Sequence, residues 1–315
     1  ARAGRPGAMG AAAGAGQAAC SAFCQTDCDG TEERAERDLL AETGVLPGAF
    51  DDNEPTEAYF ERDLKEFLHP IFGKALPEGT RASHTFSSGS VYSGQWRGNS
   101  RHGFGFQTWP CGRSYVGLWK DNAAEGRGVF TFPDASTYFG EWKANRFHGY
   151  GSYTDASRTV FRGLWAAGVR SGLGVEEGAP GSGTKYAGTF ANGLKHGPGV
   201  CYWSDGGEYR GQWRDNQITG GGVYALSSRQ KTYTGEWLDS QKHGNGLYKW
   251  PDGRVYQGQY WQDQAAGFGK FSWPDGQRYE GFWRNGKQHG AGRYTSSLGE
   301  VRHLDWREGR PKDDV

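Results

Sequence analysis

Residues 233–253 read Tyr-Thr-Gly-Glu-Trp-Leu-Asp-Ser-Gln-Lys-His-Gly-Asn-Gly-Leu-Tyr-Lys-Trp-Pro-Asp-Gly. Tyr233, Gly235 and Trp237 alternate, so they share one face of a strand whose successive side chains point to opposite sides. A glycine between two rings lets both lie over it, at some loss of intrinsic strand stability. A second strand opens with the pair Gly244 and Gly246 and ends in Trp250. Trp250-Pro251-Asp252-Gly253 then reverses the chain, because proline fixes φ and glycine accepts a positive one. The stretch reads as strand, turn, strand, turn.

The same stretch recurs along most of the chain. Tyr92, Tyr115, Tyr138, Phe161, Tyr186, Tyr209, Tyr233, Tyr256 and Tyr279 are separated by 23, 23, 23, 25, 23, 24, 23 and 23 residues. We number these units one to nine and count offsets from the leading ring. Glycine follows at offset 2, and at offset 4 comes an aromatic: Trp96, Trp119, Trp142, Trp165, Phe190, Trp213, Trp237, Tyr260 and Trp283. The Gly-x-Gly pair recurs at offsets 11 and 13, from Gly103 and Gly105 to Gly290 and Gly292. An aromatic at offset 17 closes several units, as in Trp109, Phe132, Trp203, Trp250 and Trp273. A fixed period of this length is the signature of a repeat architecture.

Tyr-x-Gly-x-Trp followed by His-Gly-x-Gly at this period resembles the MORN repeat (membrane occupation and recognition nexus). The resemblance covers residues 88–298 with nine consecutive matches, and its departures are small. Phe161 replaces Tyr, Phe190 and Tyr260 replace Trp, and the fourth connection is two residues longer around Gly178–Gly183. A tenth, degenerate stub follows, with Arg302, Leu304 and Trp306 at the Tyr, Gly and Trp positions, as suits a terminal cap. The fold expected is all-β: one elongated, twisted antiparallel ribbon of stacked hairpins, with a short α-helical N-terminal segment. Eighteen strands at roughly 4.8 Å would span on the order of 85 Å. The expected organisation is a disordered Ala/Gly-rich stretch at 1–30, a short helical acidic segment at 31–86, the nine repeats at 87–298, and the stub and tail at 299–315.

Composition agrees with small repeated units rather than a large aliphatic core. Only 35% of residues are hydrophobic while 15% are aromatic, and 53 of 315 are glycine, more than twice the usual share. Net charge is zero, yet residues 1–86 hold 8 Lys and Arg against 15 Asp and Glu, leaving 28 against 21 in residues 87–315. An acidic front thus precedes a basic repeat region, which suits an anionic partner or the front itself. Five cysteines, an odd number without evident pairing, favour a reducing intracellular setting. No apolar run approaches the length of a membrane-spanning helix, and the Ala/Gly-rich residues 9–19 do not make a signal peptide. Met9 is the only methionine and is read as the native start.

In the front, Thr31–Thr43 and Thr56–His69 read as helices. Gly44 stops the first and Pro70 ends the second. Phe60, Leu64, Phe67, Leu68 and Ile71 fall on one stripe, suited to cap the open end of the ribbon or to meet a partner protein. Cys20, Cys24 and Cys28 are spaced too widely for a tetrahedral zinc site. With Gly10 exposed after Met9, myristoylation would want Ser or Thr where Gly14 stands. Asp27, Asp29 and Glu36 match only part of a calcium loop, since Gln25 occupies its first ligand position. Asp313-Asp314-Val315 has the form of a PDZ-type tail.

Five of the eight histidines, His102, His148, His196, His243 and His289, occupy one repeat position, so structural hydrogen bonding is the expected role rather than catalysis or metal binding. No nucleophile–base pair and no phosphate-cradling loop is present, and neither cofactor nor enzymatic activity is expected. Basic residues recur at offset 5 (Arg97, Lys120, Lys143, Arg214, Arg284) and offset 9 (Arg101, Arg170, Lys195, Lys242), near the turn within each hairpin. They are read as a discontinuous basic rim for an anionic ligand. The rings Tyr92, Trp96, Tyr115, Trp119, Tyr138, Trp142, Trp165, Tyr209, Trp213, Tyr233, Trp237, Tyr279 and Trp283 are read as the repeat core. Nucleic acid is disfavoured by the pI of about 7.2 and by aromatics already engaged in packing.

The resemblance implies a cytoplasmic scaffold, at membranes in some members and in cilia or cytoskeletal rings in others, with several forming dimers. MORN blocks fused to kinases and methyltransferases also occur, but neither domain is expected in the short segments that flank these repeats. The expected function is therefore a scaffold binding an unidentified protein, with a peripheral module for anionic phospholipid (phosphoinositide or phosphatidylserine) as the alternative.

Overall fold

The computed structural model describes residues 80–226 and 231–312, and every element among them is a strand. The helices expected at Thr31–Thr43 and Thr56–His69 lie outside the described residues, as do Cys20, Cys24 and Cys28. Twenty-one strands form one antiparallel sheet. β1 (Thr80–Thr85) precedes repeat one, which is β2 (Val91–Arg97) and β3 (Ser100–Thr108). Repeats two to four are β4 (Ser114–Lys120) and β5 (Ala123–Thr131), β6 (Thr137–Lys143) and β7 (Arg146–Thr154), β8 (Val160–Ala166) and β9 (Val169–Glu177). Repeats five to seven are β10 (Lys185–Ala191) and β11 (Leu194–Tyr202), β12 (Glu208–Arg214) and β13 (Gln217–Leu226), β14 (Lys231–Leu238) and β15 (Gln241–Lys249). Repeats eight and nine are β16 (Val255–Trp261) and β17 (Gln264–Ser272), β18 (Arg278–Arg284) and β19 (Lys287–Thr295). The stub forms β20 (Val301–Arg307) and β21 (Arg310–Pro311). Each strand pairs with the next, so the ribbon is a pure meander, and twenty inter-strand steps span on the order of 95 Å. β1 lies within the segment read as an acidic cap and adds a strand before the first repeat.

Both kinds of repeated glycine have separate physical causes. Within repeat one, Gly94 lies opposite Gly105, but Trp96 lies opposite Arg101, so the ladder slips between them. Gly103 sits in this bulge at φ +68°, a conformation glycine adopts without strain. Gly94 and Gly105 instead make room for a ring: a β-carbon on Gly105 would fall 2.5 Å from Cε2 of Tyr92. The same slip follows the first glycine in all nine repeats.

The leading ring therefore lies across a glycine pair and is almost fully buried, from Tyr92 at 0% to Tyr256 at 2% exposed. Where it is tyrosine, its hydroxyl donates to the carbonyl three residues on, opposite the bulge, as Tyr92 does to Gln95 at 2.8 Å and Tyr233 to Glu236 at 2.9 Å. Each ring meets the offset-4 aromatic of its own repeat and of the next edge-to-face: Tyr115 lies 5.0 Å from Trp119 and 5.0 Å from Trp142. These contacts link every repeat from Trp96 to Trp306 in one aromatic row, each pair contributing about 0.5–1.5 kcal/mol beyond burial. Trp indoles tie repeats together too, as Trp142 donating to the Gly128 carbonyl at 3.1 Å.

Tight turns lock the register. Asp121 and Asn122 both have positive φ, 49° and 70°, the backbone of a two-residue hairpin turn. The Asn122 amide donates to the Arg101 carbonyl at 3.0 Å, and its side-chain oxygen accepts from the Arg101 amide at 2.9 Å. From repeat two onward each hairpin turn is thus gripped by the preceding repeat. Between repeats, Gly253 N–H donates to the Trp250 carbonyl at 3.0 Å, closing the expected Trp-Pro-Asp-Gly reversal.

Candidate binding face

The two-residue turn places offset 4 directly opposite offset 9, so both point to the aromatic face of the sheet. Offset 15 also joins this face, because it pairs with the leading ring of the next repeat, as Phe130 does with Tyr138. Along offset 9 stand Arg101, Ala124, Phe147, Arg170, Lys195, Ile218, Lys242, Ala265 and Gln288. Along offset 15 stand Gln107, Phe130, Tyr153, Glu176, Cys201, Tyr224, Tyr248, Phe271 and Tyr294. These two rows form the outer surface of the aromatic core.

Offset-9 side chains roof the leading rings. Phe147 stacks on Tyr138 with centroids 3.7 Å apart. Arg170 lies over Phe161 at 4.6 Å, Lys195 over Tyr186 at 4.8 Å and Lys242 over Tyr233 at 5.7 Å. A cation over a ring face is attracted by its quadrupole. Arg101 is placed differently, 4.3 Å from the centroid of Trp119 in the next repeat.

The basic residues read as one rim therefore divide between two faces. Arg101, Arg170, Lys195 and Lys242 lie half-buried on the aromatic face, while Arg97, Lys120, Lys143, Arg214 and Arg284 lie exposed on the opposite one. On that opposite face Arg97 pairs with Asp121. The offset-5 row is interrupted by Ala166, Ala191, Leu238 and Trp261, the last 59% exposed. Sequence spacing showed that both sets lie near the hairpin turn; the two-residue length of that turn is the signal that separates them.

Charge on the aromatic face is concentrated in repeats four and five. Glu176 pairs with Arg170 and with Lys195, the latter at 3.1 Å. Burial pushes the Glu176 carboxyl up, but the charges of Lys195 and Arg170 outweigh it and hold the group below its ordinary range. Beside it, burial raises the Cys201 thiol to about 11, which leaves it protonated and unreactive. Lys242 pairs with Asp263 at 3.5 Å. Arg101 hydrogen-bonds only neutral groups among the described residues: Gln107 Oε1, the Asn122 carbonyl at 2.9 Å and Asn122 Oδ1.

The recurring histidines lie on the opposite face, beside the turn of the next repeat. His102 Nδ1 is 3.7 Å from Asp121, His196 Nδ1 is 3.5 Å from Asp215 and His289 Nδ1 is 3.6 Å from Glu308. Hydrogen bonding was expected here, yet Nδ1 of His102 and of His289 makes none. What the position supplies instead is proximity to a turn carboxylate in three repeats; the Ala167-Gly168 turn after His148 carries none, and in the Gln262-Asp263 turn after His243 the carboxylate pairs with Lys242.

A depression of about 510 Å³ opens on the aromatic face over repeats one and two. Phe86, Trp109, Phe130 and Trp142 wall it, with Trp119 and Arg101 on one side. Ala124 lines it, in the offset-9 row where repeat three carries Phe147, repeat six Ile218 and repeat seven Lys242.

No curated protein sequence matches the chain. Among solved structures, the TCP10 domain of Danio rerio CPAP, in complex with a peptide of Danio rerio STIL, matches at TM-score 0.41 and 12% identity over 74% of this chain and 98% of that one. The TCP domain of Drosophila melanogaster SAS-4, in complex with a proline-rich motif of Ana2, matches at TM-score 0.19 and 12% identity over 73% and 92%. The profile of the MORN repeat matches residues 92–110, 115–137, 138–160, 161–183, 186–208, 209–229, 233–253, 256–278 and 279–297. Those nine segments take in well over half of the chain and coincide with the nine bulged hairpins, so this protein belongs to the MORN-repeat family.

Proposed function

We propose that this chain is a non-catalytic scaffold that receives an extended segment of a partner protein along its aromatic face. The observation that carries this reading is the content of the two surface rows. They combine half-exposed rings with four cations and the single carboxylate of Glu176. Aromatic and arginine side chains dominate the energetics of protein interfaces, where charged residues are otherwise depleted. Glu176 is paired with Arg170 and Lys195, and burial holds the Cys201 thiol protonated, which suits a surface for contact rather than turnover. Such a scaffold is expected in the cytoplasm, attached to cytoskeletal or ciliary structures.

Photo-crosslinking tests the face. Benzoylphenylalanine replacing Tyr153 or Tyr294 should crosslink a partner in the native cell, whereas replacing Leu173 or Phe268 on the opposite face should not. Crosslinks from the opposite face alone would reverse the assignment.

A second reading rests on Trp261. This ring is 59% exposed in the same offset-5 row as Lys120, Lys143, Arg214 and Arg284. An exposed indole among basic residues suits the interface of an anionic membrane. Sedimentation with phosphatidylserine or phosphoinositide vesicles, lost on reversing those four charges, would support it. No sedimentation at low salt would remove it.

A further inference from the structure

We propose that the depression over repeats one and two anchors the bound segment, accepting an apolar side chain followed two residues later by a carboxylate that Arg101 receives. This rests on the reading of the aromatic face as a protein-binding surface, and it names the chemistry of the partner.

The apolar half follows from Ala124. At this row a longer side chain roofs the leading ring in repeats three, four, five and seven, whereas in repeat two Ala124 lines a hollow of about 510 Å³ between Trp119, Phe130 and Trp142. That is room for one leucine or phenylalanine side chain, shielded by rings as in the buried anchor of a protein interface.

The charged half follows from Arg101. Arg170 and Lys195 share Glu176, and Lys242 has Asp263, so three of the four cations in these two rows carry an internal counter-ion. Arg101 has none among the described residues; Gln107 stands where repeat four places Glu176. Its guanidinium is half-buried over Trp119 and satisfied only by amide groups, an arrangement that leaves its charge for an outside carboxylate. Trp119 is shared: one face of it carries Arg101 and the ring also lines the hollow, so both halves of the site are adjacent. In an extended peptide, residues two apart point to the same side and lie roughly 7 Å apart, which matches a neighbouring anchor and cation.

The chain itself supplies variants that the fold tolerates. Gln288 stands at the Arg101 row in repeat nine, and Phe147 at the Ala124 row in repeat three. The probes are fluorescein-labelled Gly-Ser-Gly-Phe-Gly-Asp-Gly-Ser-Gly, its counterpart with Asn for Asp, and its counterpart with Ala for Phe, titrated against the full chain by anisotropy. The Asp peptide should bind about tenfold tighter than the Asn peptide, the factor for one charge-assisted hydrogen bond. Arg101→Gln should erase that difference and leave the Phe-over-Ala preference. Ala124→Phe should erase the Phe preference. Equal binding of the Asp and Asn peptides, absence of binding by all three, or an undiminished Asp preference in Arg101→Gln would overturn the proposal. If it fails while Tyr153 and Tyr294 still crosslink a partner, only the anchor is wrong; if those crosslinks are absent as well, the binding-face reading falls with it.

Discussion

The Tyr209 ring lies against Gly222 so closely that a β-carbon there would sit 2.5 Å from Cε2 and 2.3 Å from the hydroxyl oxygen. The ring has nowhere to retreat, because Trp213 and Trp237 each meet it edge-on at 5.6 Å. Gly222→Ala must therefore displace a packed ring, costing about 2–3 kcal/mol. Gly276 is a glycine of the other kind: φ is +88° and nothing lies within 4 Å of its would-be β-carbon. Gly276→Ala meets only the left-handed backbone penalty, about 1 kcal/mol. Urea denaturation separates them, and equal losses would mean that the ring contact is not what demands glycine.

Repeat four lacks a hydrogen bond that its neighbours have. Tyr138 donates to the Glu141 carbonyl at 2.9 Å and Tyr186 to the Thr189 carbonyl at 3.0 Å, but Phe161 has no hydroxyl for Leu164. Phe161→Tyr should restore that bond on the same glycine platform and stabilise the protein by about 0.5–1.5 kcal/mol. A loss of stability would show that Arg170, lying over Phe161, leaves no space for the oxygen.

How much of this was legible in sequence follows from what each signal reports. The hairpins were, since Tyr, Gly and Trp at alternate positions can share only one face. The bulge was not: a ladder slip leaves no trace in composition, and only the positive φ of Gly103 and its equivalents shows why the Gly-x-Gly pair needs its first member. The basic rim was half legible. Spacing placed Lys120 and Lys195 near turns, but the face that each occupies depends on which residues the turn sets opposite one another. Ala124 gave no signal at all, because a missing side chain is informative only beside the rings it fails to cover.

Trp213 tests whether the aromatic row is the source of stability. It is 6% exposed, meets Tyr186 and Tyr209 edge-on, and donates to the Gly199 carbonyl at 3.4 Å. Trp213→Ala should cost about 3–5 kcal/mol as a buried large-to-small change. Trp213→Phe should cost less, because Phe190 fills this position in repeat five with the same edge-on contacts. A midpoint unchanged by Trp213→Ala would place the core elsewhere.

Alkaline pH should unfold the ribbon through its tyrosines. Burial raises the Tyr92 and Tyr279 hydroxyls to about 12, and it raises those of Tyr115, Tyr138, Tyr186, Tyr209, Tyr233 and Tyr256 as well. In the unfolded chain each ionises near pH 10. A group whose folded pKa is raised adds stability that is complete below the unfolded value and is lost as pH climbs toward the folded one. For Tyr92 and Tyr279 that window runs from about 10 to about 12, and the other rings draw on the same interval from its lower edge. Because the rings form one continuous row, their ionisation and the unfolding of the sheet should coincide. The tyrosinate absorbance of these eight rings should then appear together with the loss of far-ultraviolet circular dichroism, in one steep step above pH 10. Full tyrosinate absorbance near pH 10 with an intact sheet would mean that the leading rings are open to solvent.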